Sequence, residues 1–248
     1  MQPLGVLEQT LFVYLNNMGI GIYLILILLG LVIGSFVSVI TYRVPRGLQF
    51  VKGKSFCDKC KKELKWYDNI PLFSFLYYRG RSRCCDKKIS PRYPLIELAS
   101  AFGFVTLYLF SLPVIYYLLF TSSLVILIID FEYQIIPDEL TWLVLFLGLA
   151  NSQQPMTALF PAFLFSILFL FLYLVTRGRG MGLGDVKLAI PLGLWLGLER
   201  GLTWFATSFI IGGIFATILL LLKRAKLKTK IAFGPFMILA FWIVLLWK

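Results

Sequence analysis

Twelve acidic residues occur in the 248-residue chain, and six of them, Glu97, Asp130, Glu132, Asp138, Glu139 and Asp185, lie in or beside long apolar segments. An ionisable side chain at membrane depth is costly, so each is a candidate for chemistry. His is absent. That removes imidazole metal ligands, Ser-His-Asp and Cys-His nucleophiles and imidazole relays, and leaves acid–base work to carboxylates, Lys, Tyr or Cys. Asp185 stands in Gly180-Met181-Gly182-Leu183-Gly184-Asp185-Val186-Lys187, where Gly182 and Gly184 clear side-chain bulk from around the acid and permit a tight entry into a helix. The run lacks the Lys-Ser/Thr ending of a phosphate-binding loop and follows no predicted strand. Its plainer reading is a helix cap, with Lys187 as an ionic partner of Asp185. Asp130 opens a second run that closes with Ile136-Pro137-Asp138-Glu139. Pro137 suits a helix start, so Asp138 and Glu139 are expected mainly as capping residues that complement the macrodipole. Asp130 ends a helix, where a carboxylate is disfavoured, and proton chemistry is one explanation for it.

The elements that must position these groups are membrane helices. The chain is 59% hydrophobic and only 15% charged, against about a quarter charged in soluble domains, which predicts an all-α polytopic membrane protein. Apolar segments near 20–41, 94–111, 113–130, 138–150, 156–176, 186–199, 202–222 and 231–247 make eight spans. Gly193, Gly197 and Gly201 would give the sixth a smooth packing face. Residues 1–18 lack the basic start of a cleaved signal peptide. With eight spans, 22 of the 24 Lys and Arg fall on one side, the cytoplasmic one, with both termini outside. Asp130 then ends the third span and Asp185 begins the sixth on that same side, where the two carboxylates could meet. The net charge of +12 is explained by orientation, with attraction to anionic membrane lipids second; nucleic acid is not required. The expected organisation is an N-terminal segment and first helix at 1–42, a basic cytoplasmic loop domain at 43–93, and a seven-helix membrane domain at 94–248.

All four cysteines lie in the loop domain. Cys57-Asp58-Lys59-Cys60 has the spacing of half a zinc site, and a reducing compartment favours zinc over a disulfide. The other half is irregular, because Cys84 and Cys85 are adjacent. The candidate ligands are Cys57, Cys60, Cys84 and Cys85, with three cysteines plus Asp86 or water as an alternative, and free thiols as the metal-free reading. Zinc would be structural, stapling a segment too small to build its own core.

Asp130 with Ile136-Pro137-Asp138, followed by Gly182-Leu183-Gly184-Asp185, resembles the bacterial prepilin peptidases, the type IV leader peptidases among the intramembrane aspartic proteases. Further blocks fit: Gly34-Ser35-Phe36-Val37-Ser38-Val39 before Arg43-Val44-Pro45, with Ser38 where Asn is usual; Tyr67-Asp68-Asn69-Ile70-Pro71-Leu72; Arg79-Gly80-Arg81; Ser90-Pro91-Arg92-Tyr93-Pro94-Leu95-Ile96-Glu97; and Phe233-Gly234-Pro235-Phe236. The resemblance implies that Asp130 and Asp185 are the catalytic pair, sharing a proton and activating water, with Gly182, Gly184, Lys187, Pro137 and Asp138 shaping the site. It implies cleavage of the short basic leader of type IV prepilins or pseudopilins at the cytoplasmic face of the cell inner membrane. It also implies N-methylation of the new N-terminus with S-adenosylmethionine, for which Asp68, Asn69, Gly80, Arg81, Arg92 and Glu97 are candidates. In family register the second Cys-x-x-Cys falls on Ser82 and Cys85, leaving Cys84 displaced. Two rivals lie outside this class: a proton-coupled transporter that uses the aspartates as carriers, and a non-enzymatic assembly factor.

Overall fold

The computed structural model describes residues 4–49, 55–57, 59–178, 180–224 and 231–247, with side chains from Gly19 onward. Lys52, Lys54, Arg179, Lys226, Lys228, Lys230 and Lys248, which enter the charge argument, lie outside the described residues. Among those described, eight α-helices and no β-strand are present: α1 (Leu4–Arg43), α2 (Phe73–Tyr77), α3 (Arg92–Leu109), α4 (Val114–Tyr133), α5 (Asp138–Asn151), α6 (Pro155–Val175), α7 (Leu183–Leu221) and α8 (Gly234–Leu246). Four of the described helices, α1, α4, α6 and α7, are long and apolar enough to cross a membrane. Each of the eight apolar segments read from the sequence overlaps a helix, the sixth and seventh both overlapping α7. The chain divides into two compact units, Met1–Pro113 and Val114–Lys248.

In the first unit α1 packs along α3 because two glycines, one turn apart on α1, let the backbones approach. A Cβ at Gly30 would lie 2.5 Å from Ala101 Cα, and one at Gly34 would lie 2.6 Å from Glu97 Cα. Small residues at four-residue spacing are the membrane solution for close helix contact. Beyond α1, a 3-10 turn at Val44–Arg46 ends on left-handed Gly47. The chain then enters the short irregular segment that carries α2 and the cysteines.

In the second unit three indole N–H groups tie helix to helix. Trp242 of α8 donates to Ser123 Oγ of α4 (2.9 Å), Trp204 of α7 to the Met237 carbonyl of α8 (2.8 Å), and Trp195 of α7 to the Val144 carbonyl of α5 (3.1 Å). Wholly buried at Trp204 and partly buried at Trp195 and Trp242, such donors need a partner among apolar side chains, and each fixes the depth of one helix against its neighbour. Trp204, Phe165 and Phe169 are fully buried at the centre of this core.

The glycine face expected over 193–201 is only partly so. Gly193 packs against Pro161 and Ala162 of α6, and both Gly193 and Gly201 receive the ring of Phe165. Gly197 packs against nothing; at φ 70°, ψ −167° it leaves helical geometry and breaks α7 into two rods. Only glycine adopts this backbone without strain.

Candidate functional site

Three helix ends converge in the second unit. Asp130 lies in the last turn of α4, which closes at left-handed Gln134 (φ 56°) as the Gln134 N–H bonds the Asp130 carbonyl. Asp185 lies in the first turn of α7, and Gly234 begins α8. Both carboxyls are buried, each residue being 5% exposed. The Gly234 backbone N–H reaches toward both of them. Asp185 Oδ2 accepts the Gly182 N–H at 3.0 Å, so the capping reading of Asp185 holds for one oxygen. It does not account for the other. Asp185 Oδ1 and Asp130 Oδ2 are buried without a hydrogen-bond partner, which is costly unless the site exists to use them.

The loop between α4 and α5 supplies the wedge that sets this spacing. Ile136 fits between the two glycines: a Cβ at Gly184 would lie 3.2 Å from Ile136 Cβ, and one at Gly234 would lie 3.2 Å from Ile136 Cδ1. Gly234 is the tightest point, because its Cβ would stand 2.6 Å from Asp130 Oδ2. A Cβ at Gly182 would meet the Asp185 carboxyl and the Gly184 N–H, both at ordinary contact distance. Pro137 is the extended residue before α5, and its carbonyl accepts the Thr141 N–H and hydroxyl.

One sequence expectation is extended here and another corrected. Asp138 and Glu139 stand in the first turn of α5, as expected, but helix-end charge is not all that Asp138 supplies: its carboxylate takes a forked ion pair from Lys187 Nζ at 2.8 and 3.0 Å. Lys187 accordingly does not pair with Asp185, since residues two apart on a helix point to different sides. The pair ties the start of α5 to the first turn of α7. Gly234 was missed as a site residue, although Phe233-Gly234-Pro235-Phe236 stood out as a motif, because nothing in its local sequence says what its Cα faces.

The first unit holds a separate cavity of about 690 Å³. Of the methyl-transfer candidates, Asp68, Asn69, Arg81 and Glu97 line it, together with Ser35, Tyr42 and Arg43. Glu97 is buried and accepts the Leu72 N–H at 2.7 Å and the Ser35 hydroxyl. Asp68 takes a forked pair from Arg83 (2.8 and 3.0 Å) and the Lys65 N–H (3.0 Å). Desolvation opposes the charge on Asp68, but the Arg83 pair and that N–H outweigh it and hold the carboxyl below its usual range. Gly80 and Arg92 are not among the lining residues. Gly80 has φ 70° over the Phe75 ring, and Arg92 Nη2 bonds Thr41 Oγ1 at 2.8 Å.

The four cysteine sulfurs lie within 4.8 Å of one another. Zn–S bonds of about 2.3 Å in a tetrahedron put sulfurs about 3.8 Å apart. Cys57 and Cys85 stand at 3.9 Å, and Cys60 and Cys84 at 2.9 Å, so the donor set fits one such ion with a small retreat of Cys84. Adjacent Cys84 and Cys85 therefore both reach the cluster. Asp86, the alternative ligand, is paired to Arg81 at 2.8 Å. Burial disfavours the Cys57 thiolate, yet bonds from Ser82 and the Cys60 and Lys59 N–H groups bring its pKa down to about 6, a state suited to a metal ligand.

An all-helical chain that gathers two buried carboxyls from different helices around one backbone N–H has the form of an intramembrane aspartic protease site. The comparisons with known proteins narrow the class: residues 116–217 match the type IV leader peptidase family and residues 28–111 match the bacterial peptidase A24 N-terminal domain. The chain is 34% identical to the prepilin leader peptidase/N-methyltransferase of Pseudomonas aeruginosa, covering 94% of this chain and 93% of that protein. It is 40% identical to the protein of that name from Klebsiella pneumoniae (70% and 85% covered) and 35% identical to that of Legionella pneumophila (91% and 91%). The chain belongs to the type IV leader peptidase family. No solved structure matches it.

Proposed function

We propose that this chain is a prepilin peptidase of the bacterial inner membrane, which removes the short basic leader of type IV prepilins or pseudopilins with Asp130 and Asp185 and an activated water. The carrying observation is the pair of unpartnered, buried oxygens, one on each aspartate, gathered at the Gly234 N–H. Two buried carboxyls that repel one another in a dry site cannot both ionise cheaply, so the pair holds one proton. The ionised member takes a proton from water as the water attacks the scissile carbonyl. The protonated member donates its proton to the carbonyl oxygen as charge develops there; the member that took the proton from water then passes it to the leaving amine, while the first recovers its proton from the diol hydroxyl as the carbonyl re-forms, so the pair again holds one proton. Burial excludes bulk water, and the Gly182 N–H fixes one oxygen of Asp185. Family membership and the relatives' names favour this reading over a transporter or a non-enzymatic assembly factor.

Eight membrane crossings, with α7 counted as two, the 43–93 segment in the cytoplasm and both termini outside, complete the reading. They place the site at the height where the leader of a membrane-inserted precursor joins its helix. The supports are the eight apolar helical segments and the 22 basic residues that this topology puts on one side. Cys57, Cys60, Cys84 and Cys85 would hold a structural zinc ion that joins the two ends of the loop. A second activity, N-methylation of the new terminus, follows the relatives' names, and the cavity in the first unit favours it. Its volume suits a cofactor of nucleoside size; bound S-adenosylmethionine would supply an electrophilic methyl group, and Asp68, Asn69, Arg81 and Glu97 offer polar groups to orient it.

Purified chain in lipid nanodiscs, incubated with a prepilin, should yield the leader-free product. Asp130→Asn and Asp185→Asn should each abolish cleavage while leaving the melting temperature within a few degrees of wild type. Cleavage at wild-type rate by either variant refutes the aspartate pair. Mass spectrometry of the product, with and without S-adenosylmethionine, reads the added methyl group.

A further inference from the structure

The cysteine segment is built twice. Residues 55–64 and 80–89 share a hydrogen-bond pattern at a constant offset, the second module lying 25 positions after the first. In the first, Cys57 N–H bonds the Lys62 carbonyl (2.9 Å), Lys61 N–H the Cys57 carbonyl (2.8 Å) and Leu64 N–H the Ser55 carbonyl (2.8 Å). In the second, Ser82 N–H bonds the Lys87 carbonyl (2.9 Å), Asp86 N–H the Ser82 carbonyl (2.8 Å) and Ile89 N–H the Gly80 carbonyl (2.8 Å). One antiparallel bridge closes each module, Phe56 with Glu63 and Arg81 with Lys88. The residue after the second ligand position is left-handed in both, Lys61 at φ 59° and Asp86 at φ 53°.

This register pairs Cys60 with Cys85 and Cys57 with Ser82. Cys84 falls opposite Lys59, which is no ligand in the first module. The Ser82 hydroxyl stands where the missing thiol would be, 3.2 Å from Cys57 Sγ and 3.1 Å from Cys84 Sγ, while Cys84 Sγ lies 2.9 Å from Cys60 Sγ. A neutral hydroxyl competes poorly with a thiolate for a borderline-soft ion. It is well placed to donate a hydrogen bond to a coordinated sulfur.

We propose that Cys84 has taken over the ligand duty of position 82, so that the metal site, whose existence this inference presupposes, is a four-thiolate site completed by a sulfur two residues out of register. Ser82 does not bind the ion; its hydroxyl, with a single proton to give, donates to one of the two thiolates within its reach, Cys57 or Cys84.

The test uses the full-length protein in detergent, loaded with Co²⁺ as a spectroscopic probe, with zinc stoichiometry measured in parallel. Wild type should hold one ion per chain with the near-ultraviolet sulfur-to-cobalt band of four thiolates. Cys84→Ser should lose one thiolate's share of that band and release the ion to a chelator at a concentration about 10-fold lower or less. Adding Ser82→Cys to Cys84→Ser should restore both readings, because the thiol returns to its symmetric place. Ser82→Ala should keep the full band with moderately weaker affinity. A four-thiolate band in Cys84→Ser, a band lowered by Ser82→Ala, or a double variant no better than Cys84→Ser overturns the relocation. A wild-type chain that takes up neither Co²⁺ nor zinc overturns the metal site itself and the relocation with it, and leaves the peptidase reading untouched.

Discussion

Alanine at position 234 would set a methyl group 2.6 Å from Asp130 Oδ2 and 3.2 Å from Asp130 Cγ. Non-bonded carbon and oxygen settle at about 3.3 Å or more, so the carboxyl must withdraw by roughly 0.7 Å by that measure. It can do so because it ends a side chain and one of its oxygens has no hydrogen bond to break; α8, pinned by Trp204 and Trp242, stays where it is. A displacement approaching 1 Å in a reacting group costs on the order of 100-fold in rate, which corresponds to about 2.7 kcal/mol of activation free energy. Gly234→Ala should therefore lower kcat for leader removal roughly 10- to 100-fold by the same reasoning, with KM little changed. Initial rates on a purified prepilin in nanodiscs, alongside the melting temperature from tryptophan fluorescence, separate misplacement from unfolding. A folded Gly234→Ala enzyme that cuts within about twofold of wild type would refute the claim that the α8 start sets the position of Asp130.

Loss of the Asp138–Lys187 pair, by Asp138→Ala or Lys187→Ala, should cost only about 0.2–1 kcal/mol because both side chains are more than half exposed. Cleavage should slow a few-fold, and the reversed pair, Asp138→Lys with Lys187→Asp, should recover most of the lost rate; a reversed pair slower than either single variant would show that the ionic tie is not what matters. Asp68, held below its ordinary range by Arg83, contributes stability that is complete above pH of about 4 and is lost as pH falls through its lowered folded-state value. The melting temperature of wild type should therefore drop more between pH 5 and pH 3 than that of Asp68→Asn, and equal drops would reject the linkage.

How much was legible in the sequence depended on whether the signal was local. Asp130 and Asp185 stood out because charge in an apolar run is conspicuous wherever its partner lies. The helix ends were legible from Pro113, Pro137 and Pro155, whose rings fix where a helix starts. Gly234 was not, because a glycine needed for close approach is defined by the atom across from it, and that atom belongs to a distant part of the chain. The Lys187 partner was open to reason, since a spacing of two on a helix already disfavours Asp185. Gly197 illustrates the opposite limit: three glycines at four-residue spacing look alike in sequence, yet two admit an aromatic ring and the third breaks the helix. The displaced Cys84 was visible as an irregularity of spacing, but that adjacent sulfurs reach one cluster is a matter of how the whole turn folds back on Cys57 and Cys60, which spacing alone does not show.

A continuous helix carries any tilt along its whole length, and α7 is 39 residues long. Interrupted at Gly197, it behaves instead as a short rod bearing Asp185 coupled to a longer one that follows it. The two rods can therefore take different tilts, the short one following α5 through Trp195 and the Asp138–Lys187 pair and the longer one following α8 through Trp204.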